Sequence, residues 1–462
     1  MIEVSSFKGE AVAVMGLARS GLTAAAALAA GGAFVWAWDD REESRRSAAH
    51  QGIPLVDLYS CDWEKVETLV LSPGIPHTFP KPHPVAARAL AAGVAIICDV
   101  DLLARAVPEA KYIGITGTNG KSTTTALVGH ILQRAGHEVQ VGGNIGTPVL
   151  DLQRLGADGS YVLELSSYQL ERMPSMALDV AVLLNITPDH LDRHGGFEGY
   201  VEAKRRIFEQ TKDTGAAIIS MEDPRSRGIC MELMAEGKKR IVPISTASRA
   251  GGGVYVADGV LIDDIDHGAE SACDLKEAPA LPGRHNWQNA AAAYAVARLM
   301  GVAPQVIADA LADFPGLAHR QEKLRTIGSV SYINDSKATN SDSAAKALAC
   351  YRAIHWLAGG QFKEKTLGEA LDYLPHVHRV YLFGEAAEKF EGELRGKVEI
   401  TRFVTMADAL ASAHKAAQAE GRPAVVLLSP ACASFDQYRN FEVRGDRFRE
   451  LVLALPGIAP VR

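Results

Sequence analysis

The sequence predicts an α/β protein of three domains, each built on a mainly parallel sheet. Three observations predict it. The chain has 462 residues, and domains run to ~150 residues each. Short apolar runs alternate three times over with helix-patterned stretches, the mark of parallel strands joined by crossover helices. Polar, glycine-containing turns follow the carboxyl ends of several of these strands, where open α/β sheets bind ligands. The limits read as 1–105, 106–316 and 317–462.

In the first domain the apolar run 11–15 is a strand, Gly16 turns the chain, and the alanine-rich stretch 22–30 is a helix. A strand at 34–38 ends at Asp39-Asp40. "LVLSPGI" (69–75) is a strand running into a Pro-Gly turn, and "VAIICDV" (94–100) reads as the last strand of this domain. The second domain opens with the strand "KYIGITG", a glycine-rich turn and a helix over 122–135 stopped by Gly136. Further strands are 161–166, 180–186 and 216–220. The Gly- and Asp-rich segment 251–281 reads as a hairpin insertion, and 286–301 as a helix with a glycine stop. The third domain has strands at 330–336, 354–360, 379–384 and 424–430 with helices between them.

Composition narrows the function classes. The chain is 47% apolar and 22% charged, ordinary for a globular protein. Its net charge of −7 gives no reason to expect nucleic acid or an anionic membrane as partner. The basic runs Lys204-Arg205-Arg206 and Lys238-Lys239-Arg240 read as solvated helix faces. Six cysteines, at 61, 98, 230, 273, 350 and 432, have no metal-ligand or C-x-x-C spacing, so free thiols in a reducing compartment are expected. The N-terminus lacks the pattern of a signal peptide, and no run of about 20 apolar residues is present to span a bilayer. A cytoplasmic monomer is the expectation.

Two turns invite a nucleotide reading. "MGLARSGL" approximates G-x-G-x-x-G, but Ala18 replaces the glycine that lets a pyrophosphate approach the backbone. Binding of a different nucleotide, with Asp39-Asp40 holding a ribose or base edge and "SPGI" near the diphosphate, and a plain strand-to-helix turn explain it equally. "GITGTNGKST" (114–123) is stronger. A strand precedes it, a helix follows, and Gly117 and Gly120 permit tight geometry. Its backbone N–H groups then face an anion, Lys121 neutralises phosphate, and the Ser122 hydroxyl reaches Mg²⁺. The position six residues before the lysine is Ile115 rather than the usual glycine. Glu164 lies inside the apolar strand "YVLELSS", where a carboxylate is costly unless paired or bound to a cation. The natural partner is that Mg²⁺. "NITPDHLDRHG" gathers Asn185, Asp189, His190, Asp192 and His194 in one loop, where a histidine is most often only solvated. "GGNIG" (142–146) sets Asn144 between glycines.

Taken together, "GITGTNGKST", with the form G-x-x-G-T-x-G-K-[ST], resembles the phosphate loop of the Mur ligases and folylpolyglutamate synthetases. "GGNIG", "LELSSYQLE", "NITPDHLDRH", "YINDSKATN" and "LLSPACASFDQ" resemble the D-glutamate-adding ligases of the Mur ligase family, and the likeness runs from about residue 11 to 450. The resemblance implies a Rossmann-like domain binding a UDP substrate, a central P-loop-type ATPase domain, and a Rossmann-like C-terminal domain binding the incoming amino acid. It implies ligation of D-glutamate to UDP-N-acetylmuramoyl-L-alanine with ATP, through an acyl phosphate and a tetrahedral intermediate, in cytoplasmic peptidoglycan precursor synthesis.

By the same resemblance, Gly117, Thr118, Asn119, Gly120, Lys121, Ser122, Thr123, Asn289, Arg320 and Asp335 contact ATP. Ser122 and Glu164 hold one Mg²⁺, and His190 and a carbamylated Lys204 hold a second. Arg19, Ser20, Asp39 and Arg41 fall on the uracil site, with Gly74 and Asn144 near the diphosphate. Lys337, Thr339, Lys363, Ser429 and Phe435 fall on the D-glutamate site, where Ser429 and Phe435 bracket a turn whose amides would take a carboxylate. Lys121, His190, Lys204, Arg320 and Lys337 form the catalytic set. The sequence alone reads Lys204 as a surface helix lysine and Asn286 as a helix N-cap. The sequence departs from the family at Ala18-Arg19 and Asp40. The rivals are another Mur ligase or a folylpolyglutamate synthetase, and a nucleotide switch that forms no amide.

Overall fold

The computed structural model describes residues 1–144 and 146–456. They form two compact bodies: Met1–Glu277 with Asn286–Asp313, and Ala278–His285 with the chain from Phe314 onward. The chain therefore passes between the bodies three times.

The first body holds two sheets. Strands β1 (Ala11–Met15), β2 (Phe34–Trp38), β3 (Val66–Leu71) and β4 (Ala95–Ile97) lie in the order β2-β1-β3-β4, all parallel. β3 stops before Ser72-Pro73, since proline has no N–H for the ladder. β4 is shorter than the 94–100 expected. The chain turns into a helix at Asp99, and Asp99 and Asp101 put carboxylates where its N-terminal dipole favours them.

The second sheet contains β5 (Lys111–Thr116), β6 (Val139–Gly143), β7 (Ser160–Glu164), β8 (Leu178–Leu183), β9 (Thr211–Ser220), β10 (Arg240–Ser245), β11 (Val254–Ala257), β12 (Val260–Asp263) and β13 (Glu270–Asp274). The order is β13-β12-β11-β10-β9-β8-β5-β7-β6. Pairing is parallel from β6 to β11, and β11–β13 add an antiparallel meander at one edge, where the hairpin insertion was expected. β5, β7 and β8 are buried almost throughout, which is why they read as continuous apolar runs. One apolar cluster joins the two sheets, taking in Val12, Leu28 and Leu102 together with Leu150, Tyr161 and Leu163. The Ile2 N–H donates to Leu150 O across it at 2.6 Å.

The helix Arg284–Leu299 is buried on most of its circumference, with four consecutive alanines at 290–293. It begins two residues before Asn286. That residue is thus inside the first turn and buried, not the N-cap expected. Lys238-Lys239-Arg240 is likewise not a helix face. Arg240 starts β10, and Lys239 Nζ donates to Thr211 O.

The second body has β14 (Glu322–Ile327), β15 (Val330–Asn334), β16 (Ile354–Gly359), β17 (Val377–Phe383), β18 (Glu399–Arg402) and β19 (Ala424–Leu428), in the order β14-β15-β19-β16-β17-β18. β14 and β15 pair antiparallel, and the rest are parallel. Apolar layers cover both faces, one around Trp356 and Phe390, the other around Tyr381 and Phe448. All six cysteines are free thiols, as their spacing predicted. Among the described residues no helix is long and apolar enough to cross a membrane.

Candidate active site

The glycine-rich turn joins the carboxyl end of β5 to the helix Lys121–Arg134. Gly117 has φ 154° and Gly120 φ 87°, backbone that favours glycine. A Cβ on Gly120 would lie 2.3 Å from Asn289 Oδ1, so the turn is also pressed against the buried alanine-rich helix. Lys121 Nζ donates to Gly117 O at 2.8 Å and Thr118 O at 2.9 Å, curling back over its own loop.

The segment following β8 clamps this turn from outside. Thr118 N–H donates to Asn185 O at 2.9 Å. The Asn119 N–H donates to Asn185 Oδ1 at 2.8 Å, and Asn185 Nδ2 donates to Asn119 O at 3.1 Å. Thr118 Oγ1 donates to Thr187 O and lies 3.1 Å from Tyr200 OH. Asn289, expected at adenine, is 3% exposed. Its Oδ1 accepts from Thr124 Oγ1 at 3.2 Å and its Nδ2 donates to Asn286 Oδ1 at 3.2 Å.

Glu164 ends β7, beside β5, and is 3% exposed. Its Oε1 accepts from Asn144 Nδ2 at 2.9 Å. Its Oε2 is buried with no hydrogen-bond partner. A carboxylate oxygen in that state carries an uncompensated desolvation cost that a cation removes, so Glu164 fits a Mg²⁺ ligand, and the buried hydroxyl of Ser122, 8% exposed at the start of the helix after the turn, is of the type that would join it.

Lys204 corrects the reading of a surface lysine. It is 1% exposed, with Nζ donating to Gly117 O at 2.8 Å and to Thr116 Oγ1 at 3.4 Å, over the Tyr200 ring at 4.7 Å. Burial, reinforced by the charge of Lys121, drives its pKa well below the lysine value of 10.5, although Asp189 and Glu164 pull the other way. The signal was present in the sequence. Phe197, Tyr200, Lys204, Ile207 and Phe208 recur at helical spacing, so Lys204 stands in the apolar stripe of the helix Phe197–Glu209.

The loop after β8 splits its histidines. His190, at φ 51°, is exposed, with Nε2 3.6 Å from Asp189 Oδ2. His194 is buried, contrary to the solvated reading: Nε2 lies 2.9 Å from Ser167 Oγ, Nδ1 3.3 Å from Glu171 Oε1, and the ring stacks on Tyr168.

At the carboxyl ends of β1–β3, Asp39 is 6% exposed and tied into the fold. Its Oδ2 accepts from the Leu17 N–H at 2.7 Å and its Oδ1 from the Arg41 N–H at 2.8 Å. The solvated strand end entertained for it is therefore corrected: a carboxylate here caps the turn after β1. Arg19 Nη2 donates to Gly146 O at 3.0 Å, which brings the first turn to the glycine turn of Asn144. Arg193 Nη1 donates to Gly74 O at 3.0 Å. Ser20 is the second residue of the helix Arg19–Ala30 and is partly buried. Arg172, which sequence reasoning missed, is 1% exposed and donates from Nη1 to Leu71 O at 3.0 Å.

In the second body, Asp335 follows β15 and is buried. Its Oδ2 accepts from Ser429 Oγ at 2.8 Å and its Oδ1 from the Gln321 N–H at 3.2 Å. Burial raises its carboxyl to about 7, against the pull of Arg320 and Arg444. The Ser429 N–H donates to Leu357 O and the Ala433 N–H to Gln361 O. Those two amides are thus occupied within the fold. Lys337 Nζ lies 3.8 Å above the Phe441 ring, and Lys363 Nζ 5.3 Å from that of Phe435, which is 61% exposed. Thr339 is exposed, its N–H donating to Lys337 O.

The model of the Mur ligase middle domain matches residues 115–297, and that of the Mur ligase glutamate ligase domain matches 319–432. The UDP-N-acetylmuramoylalanine–D-glutamate ligase of Paramagnetospirillum magneticum is 52% identical over 98% of both chains. That of Rhodospirillum rubrum is 51% identical over 98% of this chain and 97% of its own. The chain belongs to the Mur ligase family. Its fold is also that of solved Mur ligases. The UDP-N-acetylmuramate–alanine ligase of Thermotoga maritima gives a TM-score of 0.59 at 18% identity, covering 96% of this chain and 99% of that one. The MurF ligase of the same organism, in complex with ADP, gives 0.55 at 20% identity, covering 86% and 98%.

Within this Mur ligase, sequence reasoning missed one more buried cation. Arg444 has no exposed surface, and it joins two of the motifs that carried the resemblance. Its Nε donates to Ser336 Oγ at 3.0 Å, and its Nη2 to Ser336 O at 2.8 Å and Cys432 O at 3.0 Å. Burial lowers its pKa to about 10. The spacing Phe441, Arg444, Phe448, Val452 put it on an apolar helix face, as for Lys204.

Proposed function

We propose that this protein joins D-glutamate to UDP-N-acetylmuramoyl-L-alanine with ATP and Mg²⁺, releasing ADP and phosphate, in the cytoplasmic synthesis of peptidoglycan precursors. Its ATP-dependent ligase character follows from the family. The observation that carries the site reading is the buried, unpartnered Glu164 Oε2 beside a phosphate-type loop. The domain roles we infer are UDP-substrate binding for 1–105, ATP for 106–316 and the amino acid for 317–462.

In this reading Lys121 and the N–H groups of 117–123 neutralise and orient the β- and γ-phosphates. Ser122, Glu164, His190 and Lys204 would hold Mg²⁺, whose chemistry when bound is to offset charge on the transferring phosphoryl oxygens. The substrate carboxylate attacks the γ-phosphorus, ADP leaves, and an acyl phosphate forms. The D-glutamate amine adds to its carbonyl carbon, and the tetrahedral intermediate expels phosphate. Arg320 and Lys337 balance the developing negative charge. Asn289 and Asp335 serve ATP, and Lys337, Thr339, Lys363, Ser429 and Phe435 serve D-glutamate. Arg19, Ser20, Asp39, Arg41, Gly74 and Asn144 serve the UDP substrate. The lowered pKa of Lys204 suits carbamylation: the unprotonated amine adds to CO₂ and loses a proton, giving an anionic oxygen ligand.

Phosphate release tests this. With ATP, Mg²⁺ and UDP-N-acetylmuramoyl-L-alanine present, D-glutamate, L-glutamate, L-lysine and meso-diaminopimelate are added in turn. Release with D-glutamate alone, and a product heavier by one glutamyl residue, is expected. Release with another amino acid would overturn the specificity, and none with any of them would overturn ligation.

A further inference from the structure

The second body carries a cluster that the ligase chemistry does not use. His355, His378 and Glu420 each offer a ligand atom, and these atoms all lie within 4.8 Å of one another. His355 and His378 are the second residues of β16 and β17, and Glu420 caps the helix Met406–Ala419. The cluster therefore sits at the amino-terminal edge of the sheet. Asp335 and Ser429 follow the carboxyl ends of β15 and β19, at the other edge.

The local fold brings the two imidazoles together. The β16–β17 register shifts between Ile354 and His355, so that Ile354 pairs with Val377 and His355 with Arg379, leaving His378 as the extra residue. Such a bulge re-aims a side chain, and the two rings meet at 6.1 Å between centroids. Glu420 Oε1 lies 3.0 Å from His355 Nε2, and Oε2 lies 3.1 Å from His378 Nδ1.

The second observation is His355 itself. It is 1% exposed, and its Nε2 is buried without an aligned hydrogen bond despite the nearby carboxylate. Its Nδ1 lies 2.9 Å from Tyr381 OH. A proton on Nδ1, donated to that oxygen, leaves the Nε2 lone pair directed into the cluster. This is how an outer hydrogen bond fixes the tautomer of a ligating histidine. Burial lowers the His355 pKa below the ordinary imidazole value, although Glu420 pulls the other way.

We propose that His355 Nε2, His378 and Glu420 form a site for a divalent transition metal of the Zn²⁺ class, at the opposite end of the strands from Asp335 and Ser429. Two imidazoles and one carboxylate are a borderline-soft donor set that selects Zn²⁺ over Mg²⁺. The site pins the end of the helix Met406–Ala419 to the middle of the sheet. Two cations oppose it. Arg422 Nε donates to Glu420 Oε2 at 3.0 Å and its Nη2 approaches His378 Nδ1 at 3.3 Å, while Arg379 also acts on His355. The metal must displace Arg422 from the carboxylate.

The test is calorimetric titration of the full-length protein with Zn²⁺ under excess Mg²⁺, on wild type, His378→Asn, Glu420→Gln and Arg422→Ser. Expected are one more Zn²⁺ bound by wild type than by His378→Asn, weaker binding by Glu420→Gln than by wild type, and tighter binding by Arg422→Ser. Zn²⁺ should raise the melting temperature of wild type and not of His378→Asn. Arg422 is exposed and His378 and Glu420 are half-buried, none of the three belongs to the proposed catalytic set, and ligation with Mg²⁺ and ATP should be unchanged in these variants. Equal stoichiometry and affinity in all four proteins would place the metal elsewhere, on cysteines for example, and overturn the proposal. Absence of Zn²⁺ binding by both wild type and Arg422→Ser would reduce the cluster to an ion-paired network and overturn it as well.

Discussion

Lys204 shows how much one side chain can carry. A lysine with 1% exposure is stable in the fold only as the neutral amine or with its charge offset. Replacing it with methionine keeps the volume and removes the problem. Lys204→Met is therefore expected to raise the melting temperature in carbon dioxide-free buffer at neutral pH while ligation falls by at least about a hundredfold; calorimetry and phosphate release check the two halves. Asp335 gives a pH signature. Its carboxyl titrates at about 7 in the fold, against an ordinary 3.8. Between those values the folded chain keeps a proton that the unfolded chain has released, so stability falls as pH rises through the window and levels off above it. Asp335→Asn should flatten that fall, seen in melting temperatures from pH 4 to pH 8. The sequence showed the types of these residues but not their depth. Lys204 and Arg444 sit at apolar positions of their helices, and only that spacing distinguishes them from solvated charges. Arg172 stands in a short turn with no such periodicity.

Elements were legible where burial is complete. β5, β7, β8, β16 and β19 announce themselves as apolar runs because parallel strands covered on both faces have no polar side. The strands not anticipated are β6, β14 and β18, which are sheet edges, and β10, which contains Pro243. Edge strands are half solvated and carry polar residues, so their sequences do not alternate clearly. The phosphate-type turn was legible because glycine at Gly117 and Gly120 has a backbone reason. Gly120→Ala would set a Cβ 2.3 Å from Asn289 Oδ1 at φ 87°. It should cost about 1–3 kcal/mol of strain and abolish ATP turnover, read by melting temperature and phosphate release. Arg444→Leu leaves the carbonyls of Ser336 and Cys432 without their donor. A loss of about 3 kcal/mol or more is expected, measured by urea unfolding.

At the scale of the molecule, the described residues run through two bodies and three sheets. Of the residues proposed for the UDP substrate, Arg19, Ser20, Asp39, Arg41 and Gly74 stand with the sheet of β1–β4, whereas Lys121 follows β5 of the other sheet, where Asn144 alone of that set also lies. Lys121→Ala is thus expected to abolish ligation while leaving UDP-substrate affinity within about threefold, since the lost charge belongs to phosphate neutralisation. Equal loss of both in titration calorimetry would contradict that division. What the sequence could not convey at this scale is the return of the chain. Residues 278–285 pack with the second body, where Cys350 Sγ approaches Pro282 O at 3.6 Å, before the helix Arg284–Leu299 carries the chain back into the first.

The paired amides of Asn119 and Asn185 make the glycine turn and the segment after β8 one mechanical piece. His190 lies five residues beyond Asn185. Any ligand that reshapes the turn works on the histidine loop through these bonds and those of Thr118 to Asn185 O and Thr187 O, and the influence must run both ways. If nucleotide strengthens cation binding by some factor, the cation strengthens nucleotide binding by that same factor. Removing the Asn185 side chain would lower both effects together and by the same factor, the Thr118 bonds to Asn185 O and Thr187 O carrying what is left.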